Sequence, residues 1–479
     1  MYKKTKIVAT ISDKRCDVDF IRELYQRGMN VVRLNTAHQT HEDALKVINN
    51  VRKVSDKIAI LLDTKGPEIR TNEQDEDFPV NAGDIVYVKG APGVKSTPEC
   101  INMSYKNFVD DVTVGAKILI DDGILELKVL EDDGTKLKCE VMNKGRIQGH
   151  KSVNIPSTLI KLPALTQKDI GFINFAIEQK LDFIAHSFVR KAADVIAVQS
   201  ILDAHGSDIK IIAKIENEEG VQNIDEILDQ AYGIMVARGD LAVEISSPRL
   251  PVVQRMLVTK AVHARKPVIV ATQMLHSMIE NPRPTRAEVN DIATAIAEGT
   301  DAIMLSGETA YGQYPVEAVQ MMTSIAHEIE ANLPKMNDLP NRIISNQTAS
   351  YLMRSAVEAS VELPIRAIVA DTTSGNTVRG MAAYRGQKLI YAHCYKASTM
   401  RALALSFGVY ADYAELPKIH AQFIVEALDN LMKRGYKHSE QVLVISGSFG
   451  KANGSSFIEV GEIEQLKELA EHHVSMMLS

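Results

Sequence analysis

Two acidic residues, Glu216 and Asp240, each follow a short apolar run in this chain of 479 residues. Carboxylate oxygens at two strand ends suit a hard divalent cation such as Mg²⁺, which often shares its ligands with a phosphate. Lys214 lies two residues before Glu216, so both side chains point to the same face if this segment is a strand. The spacing therefore predicts a metal ion and a cationic side chain next to each other.

Further cations and hydroxyls stand at the ends of other apolar runs. Arg33 and Arg70 suit a phosphate and the charge that develops as it is transferred. Thr272 and Ser306 end two later runs. Each has an ordinary alternative, because charged residues at strand ends often form structural ion pairs and hydroxyls often bond the local backbone. The recurrence at six strand ends favours one shared site.

Eight short segments are expected to form the strands that position these residues: 6–11, 30–34, 58–63, 183–188, 209–215, 233–237, 268–272 and 302–305. Most are continuous apolar runs, which are typical of parallel strands buried on both faces. Amphipathic segments lie between most of them, at 17–26, 166–179 and 284–298 among others. Eight strand–helix repeats predict an α/β fold, the (β/α)8 TIM barrel, with its active site at the carboxyl ends of the strands.

The repeat is interrupted after Pro67, where roughly 90 residues with alternating apolar positions and turn signals intervene. Asp122-Gly123 and Asp133-Gly134 are two of those turns. We expect a small β-barrel domain inserted into one loop of the large barrel. Because such a loop opens at the active-site face, the insert is predicted to act as a lid.

The last part of the chain changes pattern again. Short apolar strands at 367–370, 389–392, 409–413 and 442–445 alternate with helices, which predicts an open α/β domain. Segment 332–347, with two prolines, is the expected connection. The resulting prediction is a barrel domain over 1–68 and 164–340, a β lid over 69–163 and a C-terminal regulatory domain over 341–479.

The composition excludes several classes of protein. With 54 Lys and Arg against 61 Asp and Glu, the chain is mildly acidic and lacks the basic surplus needed to bind nucleic acid. No apolar run reaches the roughly 18 residues of a membrane span. The four cysteines are widely scattered, which favours reduced thiols in a cytoplasmic protein. Residues 7–11 form too short an apolar run for a signal peptide.

The motifs at the strand ends resemble those of the pyruvate kinase family, and the resemblance covers nearly the whole chain. They are Arg33-Leu34-Asn35, Asp63-Thr64-Lys65-Gly66-Pro67-Glu68-Ile69-Arg70-Thr71, Ile211-Ile212-Ala213-Lys214-Ile215-Glu216-Asn217, Ala271-Thr272-Gln273-Met274-Leu275, and the segments 235–244, 284–289 and 303–310. The resemblance implies a glycolytic phosphotransferase that moves the phosphoryl group of phosphoenolpyruvate to ADP, giving pyruvate and ATP.

The resemblance also implies a role for individual residues. Glu216 and Asp240 are implied to hold Mg²⁺ or Mn²⁺, and Lys214 to lie against the transferring phosphoryl group. Thr272 is implied to lie near the enolate carbon, with a water relay that includes Ser306. The residues implied to contact phosphoenolpyruvate are Arg33, Lys214, Gly239, Asp240 and Thr272. Those on the nucleotide side are Asn35, His38, Arg70 and Lys151.

A potassium site is also implied by the resemblance. Asn35, Asp63 and Thr64 match K⁺ ligands of the family. Ala37 stands where the family usually has a serine that supplies a further ligand. We therefore expect K⁺ to activate the enzyme, but less strongly than is usual in the family.

The C-terminal domain carries a hydroxyl-rich loop after its first strand. Its residues Thr372, Ser374 and Thr377 resemble the family's effector loop for sugar phosphates, although an ordinary polar loop is an equal alternative. A second, glycine-rich loop at 446–456 is expected to close over a ligand. The family forms homotetramers, and the same assembly is expected here.

Two other functions stay open at this point. One is a catalytically silent sensor on the same scaffold, which would be expected to have lost Lys214, Glu216, Asp240 or Arg70. The other is an aldolase-like or lyase barrel that acts on pyruvate with a divalent metal. The presence of all four residues disfavours the first, and the inserted lid disfavours the second.

Overall fold

The first part of the chain alternates strands and helices. The computed structural model describes residues 2–340, 346–447 and 454–478. Asp17 caps the first helix by accepting a hydrogen bond from the Phe20 N–H. The elements are β1 (Lys6–Thr10), α1 (Val18–Arg27), β2 (Val31–Asn35), α2 (His41–Val54) and β3 (Ala59–Asp63).

The inserted region is a separate β structure with its own apolar core. Its elements are β4 (Ile69–Arg70), β5 (Phe78–Val80), β6 (Ile85–Gly90), β7 (Cys100–Met103), α3 (Phe108–Asp111), β8 (Lys117–Ile120), β9 (Leu125–Asp132), β10 (Leu137–Val141), β11 (Gly145–Ile147) and β12 (Ser152–Asn154). Seven strands form one sheet in the order β4-β12-β8-β9-β10-β6-β7, and β11 pairs with β5. A bridge between Thr71 and Met103 joins the two edges, so the sheet curls back on itself.

The barrel then resumes and closes. Thr166 and Thr285 each start a helix with a capping box. The helices are α4 (Gln167–Glu178), α5 (Ala192–Ala204), α6 (Glu218–Gln222), α7 (Ile224–Gln230), α8 (Arg238–Glu244), α9 (Leu250–His263), α10 (Arg286–Ala297), α11 (Gly307–Ala310) and α12 (Pro315–Glu330), with 3-10 turns at Ser247–Arg249 and His276–Ile279. The strands are β13 (Phe183–His186), β14 (Lys210–Ile215), β15 (Gly233–Ala237), β16 (Val268–Ala271) and β17 (Ala302–Leu305).

Eight parallel strands form the closed barrel, in the order β1-β17-β16-β15-β14-β13-β3-β2. All eight predicted strands are present, with ends that differ from the predicted ones by at most two residues. Their side chains are almost all buried, because helices cover the outside and apolar side chains such as Phe183, Met235 and Ile269 fill the inside. The predicted TIM barrel is therefore confirmed.

The C-terminal domain is an open five-stranded sheet in the order β20-β19-β18-β21-β22. Its elements are α13 (Gln347–Glu362), β18 (Ala367–Thr372), α14 (Asn376–Ala382), β19 (Leu389–Cys394), α15 (Ala397–Ala402), a 3-10 turn at Leu403–Leu405, β20 (Val409–Tyr413), α16 (Ala421–Lys433), β21 (Gln441–Ser446), β22 (Phe457–Glu462) and α17 (Ile463–Leu478). The four predicted strands are present and parallel. The fifth, β22, is an antiparallel edge strand that the sequence prediction lacked, since it is only partly buried.

The C-terminal domain packs against the amino ends of the barrel strands, opposite the strand ends discussed above. Arg385 and Asp301 form a buried ion pair of 2.7 Å across this interface, and the Lys6 amine donates to the Val409 carbonyl. Two predicted segments fall partly outside the described residues, at 341–345 of the connection and 448–453 of the glycine-rich loop. The domain boundaries given above stay a prediction.

The described residues contain neither a membrane-spanning helix nor a disulfide. None of the helices between residues 2 and 478 that the structure describes is long and apolar enough to cross a membrane. All four cysteines are free thiols.

Candidate active site

Asp63 lies at the centre of the polar cluster at the carboxyl ends of the strands. The Arg33 Nε donates to one oxygen of its carboxylate at 2.6 Å, and the Lys214 Nζ lies 3.1 Å from the other. Although burial by itself would raise the pKa of Asp63, the two cations hold it below its usual value. Asp63 is therefore a permanent anion that fixes both cations in place.

Lys214 is held by acceptors from three strands. Its Nζ contacts Asp63, lies 2.9 Å from a carboxylate oxygen of Glu216, and donates to the Ser187 hydroxyl at 2.7 Å. Burial alone would lower the pKa of Lys214, but Asp63 and Glu216 outweigh burial and raise it above its usual value. The amine thus stays protonated and keeps its direction.

Glu216 and Asp240 lie together, as the sequence predicts. Burial raises the pKa of both carboxyls, and their mutual repulsion raises that of Glu216 further, against the opposing effect of Lys214. Two neighbouring carboxylates, of which Glu216 pairs with Lys214, suit an added divalent cation. Within the ranges that the structure describes, no group of three acidic, His or Cys side chains is arranged to hold a metal ion, so substrate and water would supply the remaining ligands of such an ion.

Two residues of this cluster were absent from the sequence-based prediction. The Ser187 hydroxyl accepts from Lys214 and donates to the Thr64 carbonyl at 2.6 Å, and the Phe188 N–H donates to Glu216 at 2.6 Å. Both residues follow β13, which lies between β3 and β14 in the barrel. No residue at the end of this strand was chosen from the sequence. The rule that strand ends carry the site could have identified Ser187.

The expected potassium ligands lie on two neighbouring strands. Asn35 and Asp63 are register partners of β2 and β3, and the Thr64 hydroxyl donates to the Ala185 carbonyl. The Asn35 side-chain oxygen accepts from the Ala37 N–H at 3.2 Å. His38 is exposed on the loop after β2. The structure brings the three ligands together and leaves His38 at the rim.

Thr272 lies in a turn with unusual backbone angles at the end of β16. Its φ is 71° and that of Gln273 is 53°. The Thr272 hydroxyl accepts from the Gly239 N–H at 2.8 Å. The carboxylate of Glu308 accepts from the N–H of Leu275 and from that of Ser306, which ties the Thr272 loop to the end of β17. Glu308 is a third residue that was not chosen as a site residue from the sequence.

The lid and the barrel enclose a cavity of about 390 Å³ beside Asp240 and Glu68. Arg70 at the lid hinge pairs with Glu68 and donates to the His150 carbonyl at 2.7 Å. Lys151 on the lid pairs with Asp121 at 3.0 Å. The two predicted nucleotide-side cations, Arg70 and Lys151, thus stand at the lid side of the barrel mouth.

The predicted effector residues lie in the other domain, at the carboxyl end of β18. The Thr372 hydroxyl accepts from the Gly375 N–H, the Ser374 hydroxyl accepts from the Asn376 N–H, and the Thr377 hydroxyl lies 3.2 Å from that of Ser455. The three hydroxyls therefore order the loop itself, and Thr377 links it to the second loop.

Comparisons with known proteins agree with this arrangement. Residues 2–319 match the model of the pyruvate kinase barrel domain, and residues 351–460 match that of the pyruvate kinase alpha/beta domain. The pyruvate kinase of Borreliella burgdorferi is 47% identical over 96% of this chain and 98% of its own length. That of Geobacillus stearothermophilus is 43% identical over 97% of this chain and 81% of its own length. This chain belongs to the pyruvate kinase family.

Proposed function

We propose that the chain transfers the phosphoryl group of phosphoenolpyruvate to ADP through the cluster of Arg33, Asp63, Lys214, Glu216 and Asp240. The chain is a pyruvate kinase by family, and its product pair is pyruvate and ATP. The observation that carries the residue assignment is the convergence of two fixed cations and two buried carboxylates at one barrel mouth. Phosphoryl transfer depends on such positioning and charge stabilisation.

In the first step, the bond from phosphorus to the enol oxygen breaks and a bond to the terminal phosphate oxygen of ADP forms. The electron pair of the broken bond stays on the enol oxygen, giving the enolate of pyruvate. Lys214 stabilises the charge on the moving phosphoryl group because its amine is permanently protonated. The Arg33 Nε donates to Asp63, and Arg33 binds the phosphate with other N–H groups of its guanidinium.

The residues suit two metal ions. Glu216 and Asp240 would hold Mg²⁺ or Mn²⁺, which when bound neutralises the charge of the phosphate oxygens. Asn35, Asp63 and Thr64 would hold K⁺. Ala37 supplies no side-chain oxygen to that site, so the response to K⁺ is expected to be weak.

In the second step, the enolate carbon takes a proton. Thr272 is too weak an acid to donate directly, so its hydroxyl is assigned to a water relay with Ser306. The Gly239 N–H fixes the direction of the Thr272 hydroxyl. The Gly239–Asp240 segment is also assigned to the binding of phosphoenolpyruvate. Arg70, Lys151, His38 and Asn35 are assigned to the nucleotide side.

A coupled assay tests the activity. The wild type should form ATP and pyruvate in equal amounts from phosphoenolpyruvate and ADP. A silent sensor would form neither, and a lyase would release pyruvate without ATP. Glu216→Ala should abolish turnover and keep the wild-type circular dichroism spectrum. Full activity of Glu216→Ala at ordinary Mg²⁺ would overturn the metal assignment.

Assembly, regulation and location are further parts of the proposal. Arg286, exposed on α10, supports a subunit contact near the barrel mouth. The ordered hydroxyl loop with Thr372, Ser374 and Thr377 supports a site for a phosphorylated sugar. The four free thiols support a cytoplasmic location. We propose a cytoplasmic homotetramer on these grounds.

A further inference from the structure

The turn that carries Thr272 is held in a conformation that such a residue rarely adopts. Thr272 and Gln273 both have positive φ, at 71° and 53°. Threonine is β-branched, and a left-handed conformation is unfavourable for it. Such a conformation persists only where its surroundings over-determine it, and this tends to occur at functional sites.

Arg238 supplies much of that constraint. Its Nε donates to the Ala271 carbonyl at 3.2 Å and its Nη2 to the Thr272 carbonyl at 2.6 Å. The next residue, Gly239, donates its N–H to the Thr272 hydroxyl. Two successive residues at the end of β15 therefore bind the main chain and the side chain of Thr272.

Arg238 is itself held by side chains of α9 and α10. Its Nη1 donates to Asp291 at 2.7 Å and to the Gln254 side chain at 3.3 Å, and Gln254 in turn donates to Glu298 at 2.8 Å. The Arg238 side chain is only 10% exposed. A planar guanidinium with five donors can reach these four acceptors at once, which the single amine of a lysine cannot.

We propose that Arg238 is a positioning residue for the proton-transfer step. Its guanidinium fixes the turn and with it the Thr272 hydroxyl, which donates to the Ala271 carbonyl at 2.6 Å and accepts from the Gly239 N–H. Its contacts go to the turn of Thr272, to α9 and to α10, whereas Lys214 and the carboxylates serve the phosphoryl transfer. Loss of Arg238 should therefore slow protonation of the enolate and spare transfer of the phosphoryl group. This inference rests on the proposed function.

The test uses Arg238→Lys in the full-length enzyme with Mg²⁺ and K⁺, and compares two rates. Rapid-quench single turnover of phosphoenolpyruvate with ADP measures ATP formation. Exchange of the pyruvate methyl protons with D₂O in the presence of ATP, followed by NMR, measures proton transfer at carbon. We expect exchange to fall about 10- to 100-fold, because small misplacements have effects of that size, and ATP formation to stay within about twofold.

A matched control and a second variant complete the design. Arg255→Lys, exposed on α9, should leave both rates unchanged. Asp291→Asn removes the charged partner of Arg238 at a side chain that is 37% exposed, so this variant provides a test even if Arg238→Lys does not fold. It should slow proton exchange more than ATP formation, by a smaller factor than Arg238→Lys. Equal losses of both rates, or no loss of exchange, would overturn the proposal. A wild type that forms no ATP would instead refute the proposed function.

Discussion

Asp63 shows how one buried carboxylate organises the residues around it. Its oxygens bind Arg33 and Lys214 separately, and Lys214 then reaches Glu216 and Ser187. A buried anion is costly unless it is paired, and either cation leaves Asp63 with a partner. The cations are thus placed before any substrate arrives, so little reorganisation is needed during the reaction.

The first prediction concerns Lys214. Lys214→Met removes the charge that we propose to lie nearest the transferring group and should lower kcat by about 100- to 1,000-fold, the range found for loss of one preorganised charge-stabilising group. The circular dichroism spectrum should stay that of the folded chain, because Arg33 still pairs with Asp63. Steady-state kinetics measures the loss, with Lys53→Met on the exposed face of α2 as the control. A kcat near that of the wild type would contradict the assigned role.

The second prediction concerns potassium and a single missing oxygen. Ala37→Ser returns a hydroxyl to the segment beside Asn35 and should strengthen activation by K⁺. A hard cation gains from each added oxygen ligand. K⁺ is titrated into a buffer that otherwise contains none, and activity is measured at each K⁺ concentration. The variant should reach half-activation at a lower K⁺ concentration than the wild type. Identical curves would mean that this segment does not bind the ion.

At the residue scale, the sequence identified residues that the structure brings together at one barrel mouth, and their catalytic roles stay a prediction, but the supporting contacts were missed. Glu216, Asp240 and Lys214 could be chosen because polar residues recur at the ends of six strands, which favours one shared site. Ser187 follows a barrel strand and could have been chosen by the same rule. Arg238 could not be separated from ordinary polar residues, since its role depends on which acceptors lie opposite it in the folded barrel. Hydrogen bonds between distant segments leave no pattern along the chain.

At the scale of elements, burial decided which strands could be recognised. The barrel strands are buried on both faces and appear in the sequence as apolar runs. The edge strand β22 shows no such run, because its side chains are mostly only partly buried. The lid was predictable from its alternating pattern, since β9 places Leu125, Leu127 and Val129 on one buried face.

The third prediction concerns the joint between barrel and C-terminal domain. Arg385→Met leaves Asp301 buried without its cation and should destabilise the structure by about 3–5 kcal/mol, as for other broken buried pairs. The pair is well buried, with side chains 5% and 6% exposed. Urea unfolding followed by circular dichroism measures the change. Arg366→Met removes the exposed partner of Glu440 and should have little effect, and equal effects of the two variants would contradict the prediction.

At the scale of the whole molecule, the helix that follows the hydroxyl-rich loop contacts the barrel. The guanidinium of Arg379, in the helix after that loop, lies 4.4 Å from the ring centre of Tyr232. Tyr232 directly precedes β15, whose other end leads into Arg238 and Asp240. One strand therefore separates this contact from Arg238 and Asp240 at the carboxyl ends of the barrel strands.

The fourth prediction is the assembly. We expect a homotetramer with closed symmetry, in which exposed residues of α10 such as Arg286 meet a second barrel. Light scattering should give about four times the chain mass of 52.8 kDa. Arg286→Glu should weaken the assembly by reversing a charge at the contact, with exposed Arg283→Glu as the control. A monomer of the wild type would refute the assembly.

The last prediction is regulation of the tetramer through the hydroxyl loop. In a symmetric assembly, a ligand that prefers one state of the subunits changes the substrate affinity of all of them. Phosphoenolpyruvate should give a sigmoidal velocity curve, and phosphorylated sugars should move it to lower concentrations. Thr377→Ala should remove that shift and leave the maximal velocity unchanged, because Thr377 joins the two loops of the C-terminal domain through Ser455 and lies far from the barrel mouth. Ser200→Ala, at an exposed position of α5, should keep the shift. If no phosphorylated sugar moves the wild-type curve, the loop of Thr372, Ser374 and Thr377 serves only the structure of its domain.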